Sequence, residues 1–270
     1  MSKTKVAIFG CGPSGLFAAW AAYQAGAEVT IISKKRRSEL FGAQYLHMPI
    51  PYIEVESATV EYRLVGSVDN YRQRVYGDNY LGPTSVDEYI GYQEAWDIRG
   101  AYNQLYDRFE RNISDVRGGR LNGASMRKLL DSEPFGEFAY IFNTIPLPTI
   151  CLKPTVHRFE SQRIWAIGDA PERNQYCPVP CDKNKIVCNG LPQDPGEPDW
   201  YRVSNVFGHT TAEWPAWHYP NTNPVAAEVR KPIKSNCNCH PELRMLGRYG
   251  RWEKGVLSHQ AFTEVEGILL

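Results

Sequence analysis

Residues 5–32 read Lys-Val-Ala-Ile-Phe-Gly-Cys-Gly-Pro-Ser-Gly-Leu-Phe-Ala-Ala-Trp-Ala-Ala-Tyr-Gln-Ala-Gly-Ala-Glu-Val-Thr-Ile-Ile, and they contain the clearest structural signal in the chain. The apolar run 6–9 has no helical periodicity, which is typical of a strand buried on both faces. A helical spacing follows over 16–25, and a second apolar run at 28–32 predicts the next strand. The stretch therefore predicts a βαβ unit that opens on a glycine turn.

The glycine turn has the Gly-x-Gly-x-x-Gly spacing of a dinucleotide site. Gly10 permits the tight turn out of the strand, Gly12 lets a pyrophosphate approach the backbone, and Gly15 allows the helix to pack closely on the strand. Pro13 and Ser14 lie at the helix N-terminus, where unpaired N–H groups carry a partial positive charge. We therefore predict that these five residues bind the phosphates of a dinucleotide cofactor.

The end of the second strand departs from the usual pattern. Dinucleotide sites commonly carry an acidic residue there that bonds the adenosine ribose, but this chain has Ser33 and Lys34, followed by the basic residues 35–37. Ser33 can bond a ribose hydroxyl, whereas the basic run suits the 2′-phosphate of NADP. The motif by itself leaves FAD and NADPH open.

Residues 243–261 form a second informative segment. They read as an apolar strand ending at Gly247-Arg248, a loop, and a terminal helix that begins near Gly255. This order resembles the closing FAD-binding segment of UDP-galactopyranose mutases and of their relatives in the protoporphyrinogen-oxidase and amine-oxidase group. By that resemblance the cofactor is FAD, and the residues expected beside it are Gly247, Arg248, Trp252, Gly255, Val256 and Leu257.

Two internal segments resemble the same family in the same order. The loop Phe41-Gly42-Ala43-Gln44-Tyr45 stands where the mutases carry a glycine pair and an asparagine against the isoalloxazine ring. The resemblance implies that Gly42, Ala43, Gln44 and Tyr45 face the flavin, although Ala43 replaces the second glycine. It also places two catalytic candidates beside the flavin, namely His47 after this loop and Arg202 in a Tyr-Arg hairpin.

The predicted fold class is α/β, with a Rossmann-like FAD-binding domain on a parallel sheet and an inserted, mainly antiparallel α+β substrate domain. The first domain comprises residues 1–55, 135–170 and 240–270, and the second, or cap, comprises residues 56–134 and 171–239. Within the cap we predict strands at 60–65 and 74–76 and a helix over 87–113. The aromatic residues of that helix either pack on a sheet or form a wall over the flavin.

A Gly168-Asp169 pair offers a second flavin assignment, since a similar Asp bonds the ribityl chain in glutathione-reductase-like flavoproteins. We favour Gly247-Arg248 for that location, because a helix follows it, and we expect Asp169 to lie in a turn. Cysteines in the second half of the chain offer a zinc alternative, but the two-residue spacing of zinc knuckles is absent. We predict free thiols and no metal at Cys177, Cys181, Cys188, Cys237, Cys239 and the adjacent His240.

The net charge and the cysteine count limit the classes of function that fit this chain. Thirty basic and thirty acidic residues cancel, so no global charge directs the chain toward nucleic acid or an anionic membrane. We see no signal peptide or membrane span, and an odd count of seven cysteines fits a reducing cytoplasm. We expect an FAD-dependent oxidoreductase with a small-molecule substrate. The alternatives are a reduced-flavin mutase acting on a nucleotide sugar, an NADPH-binding reductase or sensor, and a non-catalytic nucleotide-binding protein; the oligomeric state stays open.

Overall fold

The structure, a computed structural model, describes residues 3–77, 80–115, 121–168, 178–192, 199–217 and 226–270. One of its two sheets has five strands, all parallel, in the order β12-β6-β1-β2-β5. These strands are β1 (Lys5–Phe9), β2 (Glu28–Ile32), β5 (Ile113–Ser114), β6 (Tyr140–Asn143) and β12 (Arg244–Met245). The βαβ unit predicted from the sequence is present, with β1 paired to β2 in parallel.

Helices cover both faces of the parallel sheet. In β1, Val6 and Ile8 belong to one apolar core, whereas Ala7 and Phe9 belong to another on the opposite face. The first core is made with α1 (Pro13–Gln24), α4 (Ile98–Phe109) and α9 (Gln260–Leu269). The second is made with α5 (Gly123–Leu130), α6 (Glu133–Gly136) and α7 (Leu147–Ile150). Burial on two faces explains why β1 is continuously apolar.

The second sheet has seven strands in the order β11-β7-β10-β9-β8-β3-β4. Every pairing is antiparallel except that of β3 with β8, so the mainly antiparallel second layer is confirmed. Two helices, α2 (Val68–Tyr76) and α3 (Ser85–Tyr89), pack on it. The strands are β3 (Ser57–Gly66), β4 (Gly91–Trp96), β7 (Phe159–Ala166), β8 (Lys185–Gly190), β9 (Arg202–Val206), β10 (His209–Pro215) and β11 (Ala227–Ser235).

Two predicted elements of the cap are wrong. Residues 74–76 end helix α2 rather than form a strand, because Ser67 caps that helix and Tyr71, Arg74 and Val75 bury one face at helical spacing. Residues 87–113 are not one helix, since β4 pairs with β3 and separates α3 from α4. Long-range strand pairing overrides the helical spacing of the aromatic residues there.

The aromatic stripe of α4 packs in the core, as one of the two interpretations predicted. Tyr102, Tyr106 and Phe109 are buried among the residues that contact α1. Residues 98–114 thereby contribute α4 and β5 to the parallel-sheet layer, although they belong to the predicted cap. The division into two domains itself stays a prediction.

The C-terminal segment differs in detail from its expected form. Gly247 and Arg248 begin a short helix, α8 (Gly247–Arg251), instead of ending a strand. The terminal helix α9 begins at Gln260, so residues 255–257 lie in the loop before it. The positive φ of +66° at Gly247 permits the turn from β12 into α8.

Candidate functional site

A cavity of about 890 Å³ lies between the two sheets and is lined by residues of both. Its volume falls in the upper part of the range that ligand pockets occupy. The glycine turn between β1 and α1 lines it from the side of the parallel sheet, and Tyr62, Tyr201 and Arg202 line it from the side of the antiparallel sheet. A single elongated ligand can therefore contact both sheets at once.

The glycine turn has the geometry that each glycine predicts. Gly10 has a φ of +98°, and a Cβ there would lie 2.5 Å from the Thr144 hydroxyl oxygen. A Cβ at Gly15 would overlap the carbonyl oxygen of Gly10, so only glycine lets α1 approach β1 this closely. At Gly12, by contrast, a Cβ would meet no heavy atom of the described chain within 4 Å, apart from its sequence neighbours. The space beside Gly12 belongs to the cavity.

Helix α8 lines the cavity beside the glycine turn. A Cβ at Gly247 would overlap the side chain of Ser14, so the start of α8 contacts the N-terminus of α1. Arg248 lines the cavity and donates from Nη2 to the Pro232 carbonyl at 3.1 Å. Its buried Nε has no hydrogen-bond partner within the described ranges. The buried hydroxyl of Tyr45, which also lines the cavity, has none there either.

The cavity extends past the end of β2, where Ser33, Lys34 and Arg36 line it. The thiol of Cys11 donates to the Lys34 carbonyl at 3.4 Å and so holds this loop against the glycine turn. Lys34 and Arg36 are exposed, and Ser33 is half-buried. This end of the cavity thus carries a hydroxyl and two cations.

A buried charge cluster lines the cavity from the antiparallel sheet. The carboxylate of Glu213 accepts from Arg202 Nη2 at 2.6 Å and from Lys231 Nζ at 2.9 Å. Lys231 also donates to the Tyr201 hydroxyl at 3.0 Å, and Arg202 donates to the Tyr62 hydroxyl at 3.3 Å. All five side chains line the cavity. The cluster therefore offers a bound ligand both cations and phenol hydroxyls.

The cluster fixes the charge of its acidic member. Burial alone would raise the pKa of Glu213, but the attraction of Arg202 and Lys231 lowers that pKa to about 2. Burial, reinforced by repulsion from Arg202, lowers the pKa of Lys231. At neutral pH Glu213 is consequently a carboxylate, and Lys231 can exchange its proton more easily than an exposed lysine.

Aromatic rings surround the middle of the cavity. The ring of His47 lies 4.5 Å from that of Tyr45 and 4.9 Å from that of Tyr89, measured between centroids. Burial, reinforced by repulsion from His259, lowers the pKa of His47 to about 4. Burial raises the pKa of Tyr45 to about 12. Both groups are therefore neutral at physiological pH and suit a flat, weakly polar ligand.

The structure brings most of the predicted site residues to this cavity. Those that line it are Gly10, Gly12, Pro13, Ser14, Gly15, Ser33, Lys34, Ala43, Gln44, Tyr45, His47, Arg202, Gly247, Arg248, Gly255, Val256 and Leu257. Gly42 instead packs on Glu213, whose carboxylate a Cβ at Gly42 would overlap. Trp252 is in the core and donates from Nε1 to the Glu160 carbonyl at 3.0 Å. Asp169 and Cys177 lie outside the described residues.

Sequence reasoning missed Glu213, Lys231 and Thr144. Glu213 is the single charged residue in the buried run 211–215 of β10. A fully buried carboxylate requires a partner, so Glu213 could have been recognised in the sequence as a candidate site residue. Lys231 reaches it only through the pairing of β11 with β7 and of β7 with β10. Thr144 donates to the Phe9 carbonyl at 2.8 Å and lines the cavity beside the glycine turn.

No family model matches this chain, and no curated protein matches it. Among solved structures, the flavin-dependent brominase Bmp2 is similar with a TM-score of 0.53 at 11% identity, over 99% of this chain and 78% of the brominase. The apo structure of VirX1 has a TM-score of 0.51 at 8% identity, over 100% of this chain and 70% of VirX1. The structure of CtdE in complex with FAD has a TM-score of 0.48 at 10% identity, over 99% of this chain and 84% of CtdE. The first two likenesses show a shared fold.

The part of the chain that the structure describes contains no helix with the length and apolar character needed to cross a membrane.

Proposed function

We propose that this chain is an FAD-binding flavoprotein and an oxidoreductase that acts on a small molecule. The observation that carries the proposal is the single cavity that runs from the glycine turn to the charge cluster of the second sheet. A glycine turn at a helix N-terminus binds pyrophosphate. In our proposal the rest of the cavity, which residues of both sheets line, holds the flat ring system of the flavin. The shared fold with a flavin-dependent brominase supports the same conclusion.

The residues present fit FAD. Gly12 leaves room for a pyrophosphate against the backbone, and Ser33 stands where a ribose hydroxyl would lie. Arg248 Nε and the Tyr45 hydroxyl are buried polar groups on the cavity wall that a cofactor or substrate would satisfy. An unsatisfied buried donor costs about 1–3 kcal/mol, so a polar ligand that pairs with both groups gains affinity.

Flavin supplies hydride or electron transfer when it is bound, and the protein supplies binding, orientation and electrostatics. In our proposal the substrate lies between the loop 42–47 and the hairpin that carries Tyr201 and Arg202. Arg202 holds an anionic group of the substrate or balances negative charge on the cofactor. Neutral His47 donates or accepts a hydrogen bond and packs against the substrate, since its low pKa makes it a weak base at neutral pH.

A second candidate is an NADPH-binding reductase or sensor. It is favoured by Lys34 and Arg36, which line the cavity at the end of β2 where a 2′-phosphate would lie. The finer proposal, membership of the mutase, protoporphyrinogen-oxidase and amine-oxidase group, is carried by the sequence motifs alone. A mutase of that kind would require the reduced flavin and a nucleotide sugar. A non-catalytic nucleotide-binding protein would bind its cofactor and never reduce it.

The substitution Gly12→Ala tests the proposed cofactor site. Because a Cβ at Gly12 meets no described atom within 4 Å, the variant should fold as well as the wild type. The same Cβ would occupy the space of the pyrophosphate, so FAD affinity should fall at least tenfold, or about 1.4 kcal/mol. Gly136→Ala is the matched control, since its Cβ also meets no described neighbour and α6 lies away from the cavity lining.

The measurement is a titration of each apoprotein with FAD, followed by flavin fluorescence, and a parallel titration with NADPH. We expect Gly136→Ala to bind FAD like the wild type and Gly12→Ala to bind it weakly. Equal FAD affinity in both variants would contradict the placement of the pyrophosphate. Wild-type protein that binds NADPH but not FAD would favour the second candidate.

A further inference from the structure

Four metal-binding side chains outside the cavity lie together, although the sequence separates them into two groups. Cys151 and His157 follow α7, and Cys237 and Cys239 follow β11. The three Sγ atoms and one His nitrogen all lie within 4.8 Å of one another. We propose that these four residues bind a structural zinc ion with three thiolates and one imidazole.

The distances among these atoms fit a tetrahedral zinc site. With Zn–S bonds of about 2.3 Å and Zn–N bonds of about 2.0–2.1 Å, tetrahedral angles place two sulfurs about 3.8 Å apart and a sulfur and a nitrogen about 3.6 Å apart. Cys151 Sγ lies 3.8 Å from Cys239 Sγ. His157 Nδ1 lies 3.6 Å from Cys239 Sγ and 3.2 Å from Cys151 Sγ. These distances suit one ion bound by Cys151, His157 and Cys239, and Cys237 Sγ lies within 4.8 Å of the other three ligand atoms.

The same distances argue against a disulfide as the reason for the cluster. A disulfide requires an S–S distance of about 2.0 Å, whereas Cys151 and Cys239 are 3.8 Å apart and both are free thiols. His157 would also have no role in a disulfide. A set of three cysteines and one histidine within bonding reach of one point is a recurring ligand set of structural zinc.

A backbone N–H group already donates to one of the sulfurs. The N–H of Lys153 donates to Cys151 Sγ at 3.3 Å. Donors of this kind stabilise thiolates and orient metal ligands. The loops therefore present the sulfurs in a form suited to binding a cation.

Neighbouring hydrogen bonds hold the two loops in this arrangement. His240, next to the cysteine pair, contacts the Ile150 carbonyl through Nε2 at 2.8 Å. The N–H of Arg158 donates to the Asn236 side chain at 2.8 Å. Each contact joins the loop after α7 to the loop after β11, so the ligand set does not depend on one flexible side chain.

The position in the fold gives the ion a structural role. The chain passes from the parallel to the antiparallel sheet between α7 and β7, and it returns between β11 and β12. All four ligands lie on these two crossings. Thr149 in α7, just before the first crossing, and Lys231 in β11, shortly before the second, line the cavity. A zinc ion would therefore fix the relative position of the two sheets that form the cavity.

The zinc set differs from the one weighed in the sequence analysis. Cys237 and Cys239 belong to both, but among the described residues their partners are Cys151 and His157 rather than the cysteines at 181 and 188, and the third expected cysteine, Cys177, lies outside the described residues. Cys188 is buried in β8, and Cys181 donates its thiol to the Lys185 carbonyl at 3.4 Å. His240 uses Nε2 for the Ile150 carbonyl and lies beside the set.

The test is the metal content of the full-length protein, purified without chelators and measured by plasma mass spectrometry. We expect about one zinc ion per chain in the wild type and in Cys181→Ser, which changes a thiol outside the set. We expect less than a tenth of that in His157→Ala. His157→Cys should restore zinc, because four cysteines also form structural zinc sites.

A second measurement keeps the proposal testable if His157→Ala fails to fold. Wild-type protein stripped with EDTA should gain thermal stability when zinc chloride alone is added, and its free-thiol count should fall as zinc binds. Wild-type protein without zinc that takes up none, or peptide mapping that finds a disulfide between Cys151 and Cys239, would overturn the proposal. Neither measurement depends on FAD, so its outcome is independent of the proposed function.

Discussion

Replacing Glu213 by glutamine removes the carboxylate that pairs with both Arg202 and Lys231. The Glu213 side chain is 2% exposed, and the two cations are 13% and 20% exposed. Removing one partner of a buried ion pair costs about 3–5 kcal/mol, because the remaining charge stays buried without compensation. We expect Glu213→Gln to lower the free energy of unfolding by an amount in this range.

Two features place the expected loss of unfolding free energy in Glu213→Gln near the lower end of this range. Burial and Arg202 lower the pKa of Lys231 to about 7, so this lysine can release its proton once the carboxylate is gone. Arg202 keeps its hydrogen bond to the Tyr62 hydroxyl and faces the cavity. The fall of the Glu213 pKa from 4.5 to about 2 corresponds to roughly 3 kcal/mol of stabilisation, which agrees. A loss of about 3 kcal/mol lowers Tm by roughly 6–12 °C for a chain of this size.

The pH dependence has a definite sign. A carboxyl whose pKa is lower in the folded than in the unfolded state stabilises the fold above the unfolded value. The contribution of Glu213 should therefore be complete above pH 4.5 and disappear as the pH falls toward 2. The difference in stability between the wild type and Glu213→Gln should shrink over the same window.

The assay is urea unfolding of both proteins at several pH values, with Glu228→Gln as the matched control. Glu228 makes the same kind of ion pair with Arg163 in the same sheet, but both side chains are considerably exposed. Such pairs contribute about 0–1 kcal/mol. If Glu213→Gln loses no more stability than Glu228→Gln, the buried ion pairs of Glu213 with Arg202 and Lys231 do not stabilise the fold as proposed.

Three further perturbations test other parts of the cavity. Gly15→Ala should destabilise the fold by about 1–3 kcal/mol and reduce FAD retention, because its Cβ overlaps the Gly10 carbonyl oxygen; unfolding and FAD content equal to the wild type would refute this packing. His47 should titrate near pH 4 in an NMR pH series, because burial and His259 lower its pKa; a midpoint at its ordinary value of 6.5 would show a solvated ring. Arg202→Lys should slow substrate-dependent flavin reduction at least tenfold while changing FAD affinity much less, since the guanidinium lines the cavity from the antiparallel sheet whereas the glycine turn belongs to the parallel sheet; equal losses of both would count against its catalytic role.

The sequence predicts the nucleotide end of the fold well because its determinants are local. A strand, a glycine turn, a helix and a second strand follow one another within residues 5–32, and each glycine has a steric role that its neighbours in the chain define. The antiparallel layer is harder to predict. Strand β4 is set by its pairing with β3, which lies about thirty residues earlier, and its aromatic residues also fit a helical spacing. Local patterns cannot distinguish these outcomes.

The same reasoning explains which site residues the sequence missed. Glu213 and Lys231 meet because β7 lies between their strands, which no short motif encodes. The proposed zinc ligands combine a local pair, Cys237 and Cys239, with Cys151 and His157 about eighty residues earlier. A long-range contact of this kind becomes visible only once the two chain crossings are in place.

FAD binding is tested most directly by the visible absorption spectrum of the purified protein, with any released cofactor identified by mass. We predict flavin absorption bands, FAD as the released molecule, and the loss of both in Gly12→Ala. A colourless wild-type protein that is stabilised against heating by NADPH and not by FAD would contradict the proposal. In that case the cavity would bind a nicotinamide cofactor, and the basic residues after Ser33 would recognise its 2′-phosphate.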